Sequence, residues 1–153
     1  MPYKFLLLTT LLWTCCAQAD GTAPTDRATV GKDTLARVTG SSGAKVVDSL
    51  QDIAPELGRW IVEFGYGEVV SRPQLDLRTR ELATVAALTA LGTAQLQLRA
   101  HINGALNVGC KPEEVVEVIM QMAVYAGFPA SLNGIAQAKE VFAERGVKIH
   151  PEQ

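Results

Sequence analysis

A carboxylate and an imidazole that meet at a pocket edge can share proton-transfer work. Histidine titrates near neutrality unperturbed, and burial can tune a glutamate upward. The chain carries one candidate of each inside apolar helical patterns: Glu81, in Arg78-Thr79-Arg80-Glu81-Leu82, and His101. Gln97 precedes His101 by four residues and so shares its helix face, and Gln121 and Tyr125 repeat that spacing further on. Asn103 and Asn107 form a third such pair. Polar pairs within largely apolar helices signal either a satisfied internal network or the lining of a pocket. At this point both readings stand. Glu81 reads equally as a first-turn acid favoured by the helix dipole, and His101 as a hydrogen-bonded helix histidine. Gln121 and Tyr125 read equally as interhelical or intersubunit partners. His150, in Lys148-Ile149-His150-Pro151, reads as a surface residue.

These side chains need a scaffold, and the pattern predicts helices throughout. A first helix is expected over roughly 29–39, closed by Gly40, and a second over 44–53 with Val46, Val47, Leu50 and Ile53 at helical spacing. Pro55 suits the first turn of a third helix, whose apolar stripe is Leu57, Trp60, Ile61 and Phe64 and which Gly65 and Gly67 are expected to end. Arg72-Pro73 opens an extended connection. Long helices follow over about 78–91, 94–108, 112–126 and 130–145, with a sharp break at Gly127-Phe128-Pro129. No alternating strand pattern occurs, so the fold class is all-α. Lys111 stands where a Ser or Thr helix cap is more usual, which bears on local stability only.

Before the helices comes a different kind of segment. Lys4, the apolar run Phe5–Trp13 and the Ala17-Gln18-Ala19 triplet form a basic region, a hydrophobic region and a small-residue cleavage site, in that order. The expected organisation is an export signal at 1–19, a leader and first helix at 20–43, and a domain at 44–148. The run is too short to anchor the chain across a bilayer, so the processed protein is expected outside the cytoplasm and off the membrane. Cleavage after Ala19 removes Cys15 and Cys16 and leaves Cys110 without a disulfide partner.

Composition narrows the function classes. Of 153 residues, 48% are hydrophobic and 20% charged, enough to fill a core. A net charge of -2 and an aromatic content of 6% argue against nucleic acid as partner. Two histidines and three cysteines leave little for a protein-only zinc site, so no metal is expected.

Five separated motifs, in order, carry a resemblance: Leu75-Asp-Leu-Arg-Thr-Arg-Glu-Leu82, Ala90-Leu-Gly92, His101-Ile-Asn-Gly-Ala-Leu-Asn-Val-Gly109, Pro112-Glu-Glu-Val-Val-Glu117 and Gln121-Met-Ala-Val-Tyr-Ala-Gly-Phe-Pro129. Together they resemble the carboxymuconolactone decarboxylase family, within the alkylhydroperoxidase D-like superfamily, over roughly 50–145. The resemblance implies a multi-helix alkylhydroperoxidase D-like fold and a ring-shaped homo-oligomer, a trimer or hexamer. Its peroxidase branch carries a Cys-x-x-Cys pair ending four residues before the histidine. Those positions are Ala94 and Gln97 here, so the thiol chemistry lacks both its thiols.

The decarboxylase branch keeps the glutamate and histidine without the pair, as this chain does. It implies loss of carbon dioxide from 4-carboxymuconolactone or a related lactone or carboxylic acid. No cofactor is implied, because the lactone itself absorbs the electrons. In this reading His101 is the donor and Glu81 orients it or relays protons. Arg78 or Arg80 binds the substrate carboxylate, or forms a surface ion pair. Gln97 hydrogen-bonds the lactone or fills the space of the missing cysteine, with Gln121 and Tyr125 nearby. The export signal departs from the cytoplasmic setting of aromatic breakdown, which points to a different lactone or keto acid. Two other readings remain at this stage: an exported binding or scaffold oligomer that lost the chemistry, and an antioxidant protein.

Overall fold

The computed structural model describes residues 26–149. The expected export signal at 1–19, residues 20–25 of the leader and His150 lie outside the described residues. Every regular element among the described residues is helical. α1 covers Arg27–Thr39, α2 Ser42–Asp48 and α3 Pro55–Trp60. α3 runs on into a π-helical segment, Ile61–Val70. α4 covers Leu77–Leu91, α5 Gln95–Asn107, α6 Pro112–Ala126 and α7 Phe128–Arg145.

The ends of these helices follow from local chemistry. The Asp26 side chain accepts from the Ala28 N–H at the start of α1, and the Asp76 side chain accepts from the Thr79 N–H at the start of α4. Each satisfies a donor that the first helical turn would leave unpaired. Gly40, Gly92 and Gly146 close α1, α4 and α7 at positive φ, where a side chain would be strained. Lys111 needs no side-chain cap of its own, because the Glu114 carboxylate accepts from its backbone N–H at 2.7 Å.

α4, α5, α6 and α7 surround one core of Val85, Leu98, Ile102, Val115, Ile119, Ala138, Val141 and Phe142. Burying each of the larger aliphatics contributes roughly 1.5–3 kcal/mol. α1 lies outside this bundle, packed on the π-helical segment and on α5. The approach of α1 to the π segment is backbone on backbone. A Cβ on Gly31 would stand 2.0 Å from the Val62 carbonyl oxygen, and one on Gly67 would stand 2.3 Å from the Arg27 carbonyl oxygen. α4 is tied to α6 by Arg78, whose Nη2 donates to both oxygens of Glu114 at 2.8 and 2.7 Å while its Nε donates to the Gly109 carbonyl at 3.0 Å.

Four features depart from the sequence reading. Gly65 and Gly67 do not end the third helix; the chain coils on to Val70, because Gly67 serves as a contact surface against α1 rather than as a stop. The second helix ends at Asp48, short of Ile53, and its Val46 and Ile53 face outward. The stripe Leu57, Trp60 and Phe64 is also exposed, so it does not bury against this chain's core. Finally, α7 begins at Phe128 with Pro129 in its first turn, where a missing N–H costs nothing, so the break is confined to Gly127.

Two outcomes are expected. Gly31→Ala forces a methyl into a carbonyl that cannot swing away, and should lower stability in urea unfolding by roughly 1–3 kcal/mol or more; an unchanged midpoint contradicts the backbone contact. The Lys111 N–H and then Arg78 hold the Glu114 carboxyl below its ordinary 4.5. The stability this adds is therefore present above that value and lost as pH falls through the depressed one. Glu114→Gln should be less stable than the parent at neutral pH and should lose less on acidification; parallel pH profiles of the melting temperature would contradict it.

Candidate active site

α4 and α5 bring Glu81 and His101 together. Glu81 sits one turn into α4 and is 2% exposed. It shares the inward face of α4 with Val85 and Thr89. His101 lies midway along α5, and its Nδ1–H donates to Glu81 Oε2 at 2.9 Å. An ionised carboxylate can only accept, so this contact fixes the proton on Nδ1 and leaves Nε2 free to accept or donate. The histidine side chain keeps 26% of its surface exposed while its Nδ1 edge is turned to a buried oxygen. The accessible edge is therefore the one carrying Nε2. A buried carboxylate that receives the opposite side of the ring also stabilises the imidazolium when it forms.

Gly104, three residues after His101, makes room for this contact. A Cβ at position 104 would lie 2.6 Å from Glu81 Oε2 and 3.0 Å from Val38 Cγ1 of α1. The carboxylate thus occupies the space that a larger residue would take, walled by α5 on one side and α1 on the other. Gly104 carries no turn signal in the sequence, and only its place on the face of α5 next to His101 could have singled it out.

A second residue was missed. Tyr66, in the π-helical segment, is half-buried, and its hydroxyl is pushed up to about 12, first by burial and then by the Glu81 charge. Lying between two glycines, it reads in the sequence as part of a helix stop. Glu81 also raises the Cys110 thiol, though burial is the larger cause there.

The other expected site residues are placed as follows. Arg78 has its guanidinium committed to Glu114 and Gly109, the ion-pair geometry described above. Arg80 donates to the carbonyls of Leu75 and Arg72 at 3.0 Å each, and so fastens the connection before α4. Gln97 is exposed on α5, and Gln121 and Tyr125 are exposed near the end of α6. The structure joins Glu81 to His101 and gives the other five no hydrogen bond to that pair. Asn103 and Asn107 form a network apart from it: Arg145 Nη1 donates to both side-chain oxygens, and Asn107 Nδ2 donates to the Val38 carbonyl at 2.8 Å.

Two large grooves on the surface lie elsewhere. One, of 520 Å³, runs past Ser41, Arg99, Asn103 and Arg145; the other, of 590 Å³, runs past Arg37, Asp76 and Val108. His101 lines neither. Among the described residues no three His, Cys, Asp or Glu side chains converge as a metal would need. Cys110 is buried, its Sγ set 3.6 Å from the Arg78 carbonyl, and its thiol is held in the protonated form by burial. A protonated, inaccessible thiol is a poor peroxide reductant.

Residues 55–140 match the Carboxymuconolactone decarboxylase family, a stretch that contains the π-helical segment, Glu81, His101 and most of α7. The chain is 39% identical over 101 residues to a 4-carboxymuconolactone decarboxylase of Acinetobacter baylyi, covering 66% of this chain and 75% of that protein. It is 33% identical over 97 residues to an uncharacterized 15.0 kDa protein of Paracoccus denitrificans, covering 63% and 72%. It is 35% identical over 95 residues to a nitrosuccinic acid decarboxylase of Metarhizium robertsii, covering 60% and 66%. With an all-helical fold, a buried glutamate bound to a helix histidine and matches of this extent, the chain belongs to the carboxymuconolactone decarboxylase family.

Proposed function

We propose that this protein is a carboxy-lyase that removes carbon dioxide from a small carboxylic acid or lactone, with His101 as the proton-transfer group and Glu81 as the buried carboxylate that sets it. The observation that carries the reading is the 2.9 Å contact from His101 Nδ1 to a Glu81 oxygen shielded from water, which leaves Nε2 as the working edge. The named relatives act on 4-carboxymuconolactone and on nitrosuccinic acid. An unsaturated lactone and a nitro group share one property: either accepts the electron pair that departing carbon dioxide leaves behind. A substrate of this kind carries its own electron sink, which is why the reading calls for no cofactor.

The step balances within the site. The bond from the substrate carbon to its carboxylate breaks, carbon dioxide leaves, and the electron pair moves onto the oxygen of the acceptor group. The imidazolium of His101, formed by uptake of a solvent proton at Nε2, then delivers that proton to carbon. Glu81 favours the charged ring before transfer and holds its orientation after it.

Assembly into a homo-oligomer, a trimer or hexamer, belongs to the same proposal. At the α6–α7 corner Val124, Tyr125 and Phe128 are 80%, 76% and 73% exposed, and Leu132 continues the patch. A second apolar ridge runs along Leu57, Trp60 and Phe64. Contiguous apolar surface of this kind is unusual on a monomer and supports contact between copies. The signal-like residues 1–19 support export of the processed chain.

Two measurements test these readings. His101→Gln should lower carbon dioxide release from 4-carboxymuconolactone, or from a related lactone or nitro acid, by at least ~10²-fold with the fold intact; undiminished release removes His101 from the chemistry. In sedimentation equilibrium the parent should be oligomeric and Val124→Asp/Phe128→Asp should be monomeric. An unchanged mass for the variant, or a monomeric parent, contradicts this face as the interface.

A further inference from the structure

The last turn of α1 holds carbonyls for which the helix itself provides no donor. The Thr39 carbonyl is satisfied locally, accepting from the Ser42 hydroxyl at 2.7 Å. The Val38 carbonyl is satisfied from another element: it accepts from Asn107 Nδ2, on α5, at 2.8 Å. Among the described residues this is the only hydrogen bond that α4 to α7 make to α1. Asn107 is held in turn. Its Oδ1 accepts from Arg145 Nη1 at 2.9 Å, and the same nitrogen reaches Asn103 Oδ1 at 3.3 Å. A guanidinium can only donate and a backbone carbonyl can only accept, so one orientation of the amide serves both neighbours. Aspartate in its place would turn an acceptor toward the Val38 carbonyl.

What this tie fastens is Val38, whose side chain is fully buried. A Cβ at position 104 would stand 3.0 Å from Val38 Cγ1 and 2.6 Å from Glu81 Oε2, so the methyl and the carboxylate oxygen border the same small space. That oxygen is the one that accepts from His101 Nδ1.

We propose that Asn107 is a positioning residue for the Glu81–His101 pair: by fastening the end of α1 through the Val38 carbonyl, it keeps the Val38 side chain over Glu81 Oε2 and water away from the contact with His101. Its effect on turnover rests on the carboxy-lyase reading above; the seal itself does not. Asn107 makes no contact with the pair and acts through the backbone of α1. A dry contact is electrostatically stronger than a wet one. The orientation that Glu81 imposes on the ring, and the charge it sets beside it, therefore depend on Val38 staying seated. A plain helix cap would satisfy the Val38 carbonyl and do nothing more.

Two experiments decide it. The first requires no substrate. The chain has two histidines, so in protein carrying 15N-labelled histidine the His101 Nδ1–H resonance is assigned by its loss in His101→Gln. In the parent this proton should exchange slowly with solvent. Asn107→Asp keeps the shape of the side chain and its partner Arg145 but removes the donor to Val38. It should quicken that exchange by about 10-fold or more, while the core amides of Ile119 and Val141 keep their rates. Asn107→Ala breaks the tie without adding charge and should do the same, which keeps the test decisive if the aspartate variant does not fold. Ser131→Ala removes a different buried tie, to the Ile119 carbonyl of α6, and should leave the His101 proton unmoved. A parent proton already in fast exchange, an unchanged rate in the folded Asn107 variants, or equal quickening in Ser131→Ala overturns the proposal. The second experiment compares turnover of 4-carboxymuconolactone at a temperature where each variant is fully folded. Asn107→Ala should lower kcat by about 10-fold with little change in KM, and Ser131→Ala should match the parent. A plain cap predicts unchanged kcat under these conditions, and that outcome overturns the positioning role. A correctly assembled parent that releases no carbon dioxide from any lactone or nitro acid defeats the lyase reading, while the exchange measurement still decides whether Asn107 seals the pair.

Discussion

The buried Glu81 carboxylate is the constraint around which the site is organised. Removing a carboxylate from water costs several kcal/mol unless its charge is met within the protein. Here one neighbour meets it directly, the Nδ1–H of His101. Everything that keeps this contact is then under tension from the same cost. α4 and α5 must hold their register, Gly104 must stay small, and α1 must press close enough to exclude water without displacing the oxygen. A change at any of these positions reaches the histidine through the carboxylate, though none of them touches the working edge of the ring.

Close approach through glycine is the device used repeatedly to build that surrounding. Gly31 and Gly67 let α1 and the π-helical segment meet backbone to backbone. Gly104 admits the carboxylate, and Gly134 admits Ile119 and Thr89 against α7. Glycine weakens a helix by roughly 0.5–1 kcal/mol relative to alanine. These four lie within helices, so the loss of propensity is offset by contacts that a Cβ would forbid. The polar ties are placed on the outside of the same interfaces: Arg78 joins α4 to α6, and Arg99 joins α5 to Glu140 and Glu144 of α7.

Much of the scaffold could be read from residue order because its signals are local. Gly92, Pro112 and Gly146 mark helix ends through glycine and proline signals that act within one turn, and the inward faces of α4 to α7 follow from apolar spacing. What escaped was whatever depended on contact across elements. Gly65 and Gly67 read as stops because a glycine pair is a stop in most settings; only the carbonyl of Arg27 lying against Gly67 explains why the coil continues. Trp60 and Phe64 read as an apolar stripe, and they lie exposed, because spacing gives a face but not what the face meets. Glu81 and His101 were singled out as types, yet twenty residues and a helical turn separate them, and no spacing rule states that they touch. The arginines had two readings, and it was the position of Glu114 on a third helix that chose for Arg78.

The π-helical coil also bears on how this scaffold can vary. A wider coil stores surplus chain, so shortening 61–70 by a residue need not sever the helix; it can tighten toward ordinary α geometry. Val62 would keep its seat on Gly31 while the residues after it rotate and a different set of side chains comes to face α1. The packing of that face is thus adjustable by chain length as well as by substitution. Two members of such a lineage could differ in how α1 is held while sharing every residue of α4 and α5.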